Sequence, residues 1–215
     1  MTRVVDAVAF DFGGVLIHAL VPAIHVQAER HDVEPAAMLE VLMGDPDVDG
    51  DHPWHRAERG ELTVAEIQSL LAEHADAAGV VLAGDEIDEL LVPGFVVNEA
   101  VVDAVAALAR AGIRTALLTN TFREFRPTLE RVLDLSMFDA VVESYAVGAR
   151  KPEAAIYEAA SEALGVPHDE IAFLDDFAQN LAAAERLGWR TVAVDDVTSA
   201  LAGLRDLVDV PLDGN

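Results

Sequence analysis

From residue 98 to residue 208 the chain alternates short apolar runs with helical segments of about ten to thirteen residues, and few folds accept that rhythm. A helix is expected over 98–111, capped by Asn98 and stopped by Gly112, then a strand over 113–118. An amphipathic stretch covers 122–133 and a short strand 140–142. A helix over 152–164 has Pro152 at its first position and Gly165 just past its end. A strand over 171–174, a helix over 178–187 stopped by Gly188, a strand over 191–194 and a helix over 197–208 complete the series. Strands this short, each followed by a helix, form a parallel, doubly wound α/β sheet of the Rossmann-like kind. A further run, Val4, Val5, Ala7, Val8, Ala9 and Phe10, reads as a strand buried on both faces and joins the same sheet.

Between that first strand and residue 98 the pattern is helical: 21–30, 35–43, 63–78 and 85–91. Thr63 and Glu66 form a capping box, and Leu62, Ile67, Leu70 and Leu71 give the third segment an apolar face. The stretches 46–53 and 79–84 are rich in turn formers. The chain therefore divides into an α/β core, 1–18 with 96–215, and an inserted helical cap domain over 19–95.

In a parallel sheet the carboxyl ends of the strands meet at one rim, where ligands bind. The first strand ends on Asp11, followed by Gly13 and Gly14, which let backbone approach a ligand closely. The strand at 113–118 ends into Thr119, and that at 171–174 into Asp175 and Asp176. An acid at a strand end can simply cap a turn, but several acids converging on one rim repel each other unless a cation sits among them. Hard oxygen ligands suit Mg²⁺. Asp11 is then placed to attack phosphorus as a nucleophile.

The cation inventory sharpens this reading. Of 14 basic side chains only one is a lysine, Lys151, in a loop that reaches the same rim. A lysine is a compact point charge suited to a phosphoryl oxygen. With 39 acidic residues the net charge is −25, which argues against nucleic acid and anionic membranes as partners. Without cysteine there is no thiol chemistry, and no apolar run approaches the roughly 18 residues of a membrane span. Met1 leads into the first strand with no signal segment, so a cytoplasmic protein acting on a small phosphorylated metabolite is expected; nothing in the sequence sets its oligomeric state.

FDFGGVL at 10–16, LLTNT at 117–121, RKPEAAIY at 150–157 and FLDDFAQNLAAAERLG at 173–188 resemble, in order and spacing, the four motifs of the haloacid dehalogenase superfamily. The sequence is similar to its group with a helical cap after the first motif, including the phosphatase domain of soluble epoxide hydrolases and bacterial sugar-1-phosphate phosphatases. The resemblance implies that Asp11 is the nucleophile and a Mg²⁺ ligand, and that Thr119 and Lys151 bind the phosphoryl group. It implies Asp176, with Asp175 beside it, as acidic metal ligands, the carbonyl of Gly13 as another, and Asn120 as a contact to phosphate or substrate.

Position 13 departs from the pattern, because family phosphatases carry there a second Asp that serves as general acid and base, help typically worth about 10²–10⁴-fold. Three outcomes stay open: a substrate with a good leaving group, a substitute acid, or a slow or silent protein. His18, seven residues after Asp11, is the candidate substitute. In the cap, Trp54, His55 and Arg56 suit a sugar or other small polar phosphate, the alternative being a tryptophan that packs cap helices together, and Arg123 and Arg126 either draw in an anion or sit on a solvated helix face. The expected function is Mg²⁺-dependent hydrolysis of small phosphate monoesters through an aspartyl-phosphate. The alternatives are a metal-independent haloacid dehalogenase and a catalytically weak phospho-ligand-binding member.

Overall fold

The computed structural model describes residues 3–18, 21–45, 50–82 and 95–212. At its centre lies β1 (Ala7–Phe10), buried along its whole length. It is flanked by β2 (Arg114–Thr119), with β3 (Ala140–Glu143) beyond it, and by β4 (Ile171–Asp175), with β5 (Arg190–Ala193) at the other edge. All pairings are parallel, so the order β3-β2-β1-β4-β5 is the expected doubly wound sheet. Phe10 lies level with Leu117 and Leu174. That register delivers Asp11, Thr119 and Asp175 to the same rim.

Helices α1 (Val21–Arg30), α2 (Pro35–Met43), α3 (Pro53–Glu58) and α4 (Val64–Ala77) follow β1. Then come α5 (Glu99–Arg110), α6 (Arg126–Val132), α7 (Ser144–Val147), α8 (Ala154–Leu164), α9 (Ala178–Arg186) and α10 (Val197–Val208). Alternation along β1 sorts the core into two layers. Val8 and Phe10 pack with Val105 and Leu108 of α5 and with Leu201 and Leu204 of α10. Ala7 and Ala9 face the other side, with Ile156, Tyr157 and Ala160 of α8 and Leu181 and Ala184 of α9. Small alanines there leave room for Tyr157, Phe173 and Trp189, whose rings meet edge to face. Among the described residues no helix is long and apolar enough to cross a membrane.

The helices after β1 build a separate apolar cluster around Met38, Leu42, Ile67 and Leu71, joined by Phe122 from the loop after β2. The capping box at the start of α4 forms as expected, Thr63 Oγ1 accepting from Glu66 N at 3.3 Å and Glu66 Oε2 from Thr63 N at 2.8 Å. The helix expected over 85–91 lies outside the described residues. One local expectation changes. Asn98 does not cap α5 with its side chain; its Nδ2 instead donates to Val15 O at 3.1 Å, tying α5 to the segment after β1. The amphipathic stretch over 122–133 forms a 3₁₀ turn (Arg123–Phe125) followed by α6, because Pro127 lacks the amide hydrogen that one continuous helix needs there. The short helix α3 was not foreseen; His52 Nδ1 accepts from Trp54 N at 3.2 Å at its start.

Candidate active site

Asp11 leaves β1 with its amide still bonded to Leu174 O at 3.0 Å, so the sheet fixes its backbone. Lys151 is 2% exposed, and its Nζ donates to Asp11 Oδ1 at 2.6 Å and to Asp175 Oδ2 at 2.7 Å. Asp175 is fully buried and held further by Phe177 N at 2.7 Å and by Asn180 Nδ2, 3.0 Å from each carboxylate oxygen. Burial by itself would strip the charge from Lys151. Its two carboxylate partners outweigh that cost and raise the ammonium above its ordinary pKa.

The main chain of Lys151 is pinned by Asn120. Lys151 N donates to Asn120 Oδ1 at 2.8 Å, and Asn120 Nδ2 donates to Lys151 O at 3.0 Å. Asn120 therefore uses its amide to position Lys151. At the next residue, Thr121 N donates to Ser144 Oγ at 2.9 Å, and the hydroxyl returns a bond to Thr121 O at 3.2 Å.

Asp176 completes an acidic cluster. Asp11, Asp175 and Asp176 each offer a carboxylate oxygen, all within 4.8 Å of one another. Asp176 Oδ1 is buried and has no hydrogen-bond partner among the described residues. Burial raises Asp11 to about 8, Lys151 opposing it while Asp175 and Asp176 add to it. Burial, with Asp175, likewise raises Asp176 to about 6, again against Lys151. A single ammonium does not balance three packed carboxyls. A hard-oxygen cluster with excess negative charge and one orphaned oxygen fits a divalent cation such as Mg²⁺. Gly14 makes this packing possible: its φ is +73°, and a Cβ there would stand 2.1 Å from Asp176 Oδ2.

The cluster floors a cavity of about 180 Å³. Asp11, Gly13, Thr119, Asn120, Lys151 and Asp176 all border it. The structure thus brings together the residues that three strand ends and the Lys151 loop were expected to deliver. Trp54 lines it too, while also packing on Phe122 with ring centroids 4.8 Å apart. His55 borders the cavity as well.

A family model of haloacid dehalogenase-like hydrolases matches residues 5–188. The chain belongs to that family. This hydrolase is 31% identical to mouse acyl-CoA dehydrogenase family member 10 over 96% of its length, and 31% identical to rat bifunctional epoxide hydrolase 2 over 91%. It spans only 19% and 37% of those two proteins. Its fold matches a predicted HAD-like hydrolase from Porphyromonas gingivalis at TM-score 0.72 and 25% identity, covering 95% of this chain and 98% of the other. A HAD family enzyme from Bacteroides thetaiotaomicron, crystallised with magnesium and inorganic phosphate, matches at TM-score 0.65 and 22% identity, covering 90% and 98%.

Other expectations about this hydrolase need correcting. His18 is exposed and is not among the residues that border the cavity; its backbone amide donates to Val96 O at 2.9 Å. Arg56 pairs with Glu61 at 3.2 Å, and Arg126 pairs with Glu130 and Glu143, so neither guanidinium borders the cavity. Arg123 lies over the Tyr145 ring, 5.5 Å from its centroid. Sequence reasoning also passed over three working residues. Asn180 braces Asp175, and its place five residues on, in the first turn of α9, was the available signal. Glu58 of α3 meets Arg150 Nε at 2.7 Å and accepts Trp54 Nε1 at 2.9 Å, a buried tie between α3 and the Lys151 loop that no local pattern announces.

Proposed function

We propose that this hydrolase releases inorganic phosphate from small phosphate monoesters, with Mg²⁺ held by Asp11, Asp175, Asp176 and the Gly13 carbonyl. The observation carrying this reading is the floor of the cavity: a nucleophile-grade carboxylate, Asp11, bonded to the lone lysine and grouped with two further acids. A carbon–halogen displacement needs an attacking carboxylate but no cation, and would leave Asp176 and its orphaned oxygen without a task. Bound among the three acids, Mg²⁺ would offset their charge and polarise a phosphoryl oxygen.

Lys151 and Thr119 orient the phosphoryl group over Asp11. An Asp11 carboxylate oxygen attacks phosphorus, and the bond from phosphorus to the ester oxygen breaks, leaving an aspartyl-phosphate. The departing oxygen keeps the electron pair and takes a proton from solvent. Water then attacks the phosphorus of the aspartyl-phosphate and gives up a proton to solvent, the bond from phosphorus to the Asp11 oxygen breaks, and Asp11 returns as a carboxylate while phosphate is released. Gly13 supplies no side chain for either proton transfer, and a Cβ there would meet nothing within 4 Å, so water has access. Turnover should therefore depend steeply on how good the leaving group is. We read residues 19–95 as a cap domain that covers the rim, excludes bulk water and contacts the rest of the substrate.

Phosphate release from acetyl phosphate and p-nitrophenyl phosphate, with Mg²⁺ and with a chelator, tests the reading. Release that requires Mg²⁺ supports it. Chloride release from 2-chloropropionate without metal, or release of neither ion, overturns it.

A further inference from the structure

Glu58 links the α3 side of the cavity to its floor. Its Oε1 accepts from Trp54 Nε1 at 2.9 Å and its Oε2 from Arg150 Nε at 2.7 Å. Trp54 and Glu58 belong to α3, whereas Arg150 lies 92 residues further on and directly precedes Lys151. Lys151 Nζ in turn donates to Asp11. One connected path therefore runs from the Trp54 indole, through a carboxylate, a guanidinium and one peptide link, to the nucleophile. All five residues border the cavity. The two charged side chains in the middle are buried, Glu58 at 7% and Arg150 at 8% exposure.

α3 meets the α/β core at two further points, and each lies beside the phosphoryl end of the site. The Trp54 ring packs on Phe122, three residues past Thr119. Gly60, two residues beyond α3, has φ +75°, and a Cβ there would stand 2.7 Å from Tyr145 O in α7. Ser144, next to Tyr145, holds both main-chain groups of Thr121. α3 is thus docked on the segments that carry Thr119 and Lys151.

Holding two elements together does not call for charge. Apolar residues of like volume in place of a buried ion pair are often neutral or stabilising. What a carboxylate adds is direction, because charge-assisted bonds fix an angle and a distance that apolar packing leaves loose. Glu58 divides its two oxygens between Trp54 and the Lys151 loop, so a shift of one is felt by the other. The remaining supports of that loop come from the core: Asn120 holds the Lys151 main chain, and Glu153 Oε1 accepts from Arg150 N at 3.1 Å.

Resting on the phosphatase reading, we infer that Glu58 is a positioning residue. With α3 docked it sets the Arg150 side chain, and through the shared peptide the Lys151 ammonium, for binding the phosphoryl group. The site is then complete only while α3 is in place.

Two variants test this. Glu58→Gln keeps the volume and one acceptor but removes the charge. Glu58→Leu combined with Arg150→Met replaces the pair by apolar side chains and should melt close to wild type. The readouts are calorimetry of inorganic phosphate with Mg²⁺, kinetics with p-nitrophenyl phosphate, and hydrogen exchange of peptide 148–157 in the unliganded protein. Displacing a working group by about 1 Å can cost about 100-fold; with Asn120 still holding the Lys151 main chain, about tenfold is expected in the phosphate dissociation constant and in KM, with kcat changed less. The Lys151 amide should exchange at least about tenfold faster in both variants. A pair that serves structure alone gives another pattern, in which binding, KM and exchange recover together with the melt in the double variant. Wild-type phosphate affinity and exchange in either variant overturns the proposal, and if the double variant does not fold, Glu58→Gln decides alone. Exchange needs no turnover, which separates the two readings. Wild-type protein that hydrolyses no ester, with Lys151 exchange raised in the variants, keeps the positioning role and defeats the phosphatase. Mg²⁺-dependent hydrolysis with KM and exchange unmoved in the variants keeps the phosphatase and defeats the positioning role.

Discussion

Two adjacent glycines should answer the same substitution in opposite ways. At Gly14, φ is +73° and a new Cβ would lie 2.1 Å from Asp176 Oδ2 and 2.4 Å from its Cγ. Non-bonded heavy atoms settle near 3.5 Å, so Asp176 must retreat by roughly 1 Å or more. The left-handed backbone adds about 1–2 kcal/mol of strain for an alanine. At about 2–4 °C per kcal/mol for a chain of this length, Gly14→Ala should lower the Tm by about 4 °C. The larger effect is on the cation: displacing one of three carboxylates should weaken Mg²⁺ by about 10–100-fold, the loss seen when metal ligands lose their supports. Gly13→Ala is the control, because its Cβ meets nothing within 4 Å. It should leave both Tm and Mg²⁺ affinity within experimental scatter. Thermal melts and magnesium calorimetry on the two variants decide the matter. A Gly14→Ala protein that binds Mg²⁺ as tightly as wild type would refute the placement of Asp176.

Lys151→Met leaves Asp11 and Asp175 facing each other without a counter-charge; it should cost about 3–5 kcal/mol in urea unfolding at pH 8 and abolish phosphate release. Glu58→Ala removes the buried carboxylate that accepts from both Arg150 Nε and Trp54 Nε1 and should cost about 3 kcal/mol, measured the same way, while raising KM because Arg150 precedes Lys151. Asn120→Ala removes two bonds to the Lys151 backbone, about 1 kcal/mol each, and should lower kcat more than it changes KM, read by steady-state kinetics. The metal-free protein should lose stability as pH rises. Folded Asp11 keeps its proton up to about 8, whereas an ordinary aspartate loses it near 3.8, so the folded state binds more protons throughout that window and deprotonation favours unfolding. Melts in chelator at pH 5.5 and pH 8 should show that drop, and Asp11→Asn should flatten it.

The polar floor was legible because it is written in local signals. A buried strand that stops on an acid can be read at Asp11 and at Asp175 without knowing the fold, and a sheet with parallel strands brings such ends together by geometry alone. Lys151 stood out as the only lysine. The cavity wall was not legible in the same way. Phe12, Phe95, Phe122 and Trp54 look like ordinary core residues in sequence, and only the packing of α1–α3 against the loop after β2 shows that they share one surface. In sequence Trp54 fits either a sugar platform or packing between cap helices; its indole N–H is satisfied by Glu58 and its ring packs on Phe122. Nearness in sequence to Asp11 says little once the chain has turned, and His18 stands exposed, outside the residues that border the cavity. Asn120 borders the cavity, but spacing gives no hint that its amide serves Lys151.

Whether Asp11 itself takes the phosphoryl group is best measured by acid quench of a single turnover with acetyl phosphate, followed by peptide mass spectrometry. With Mg²⁺ present, the phosphate mark is predicted on the peptide 7–18, at Asp11, and it should vanish in Asp11→Asn and in chelator. Phosphate released at the wild-type rate with the mark on another residue, or by a protein lacking the Asp11 carboxylate, would contradict the account.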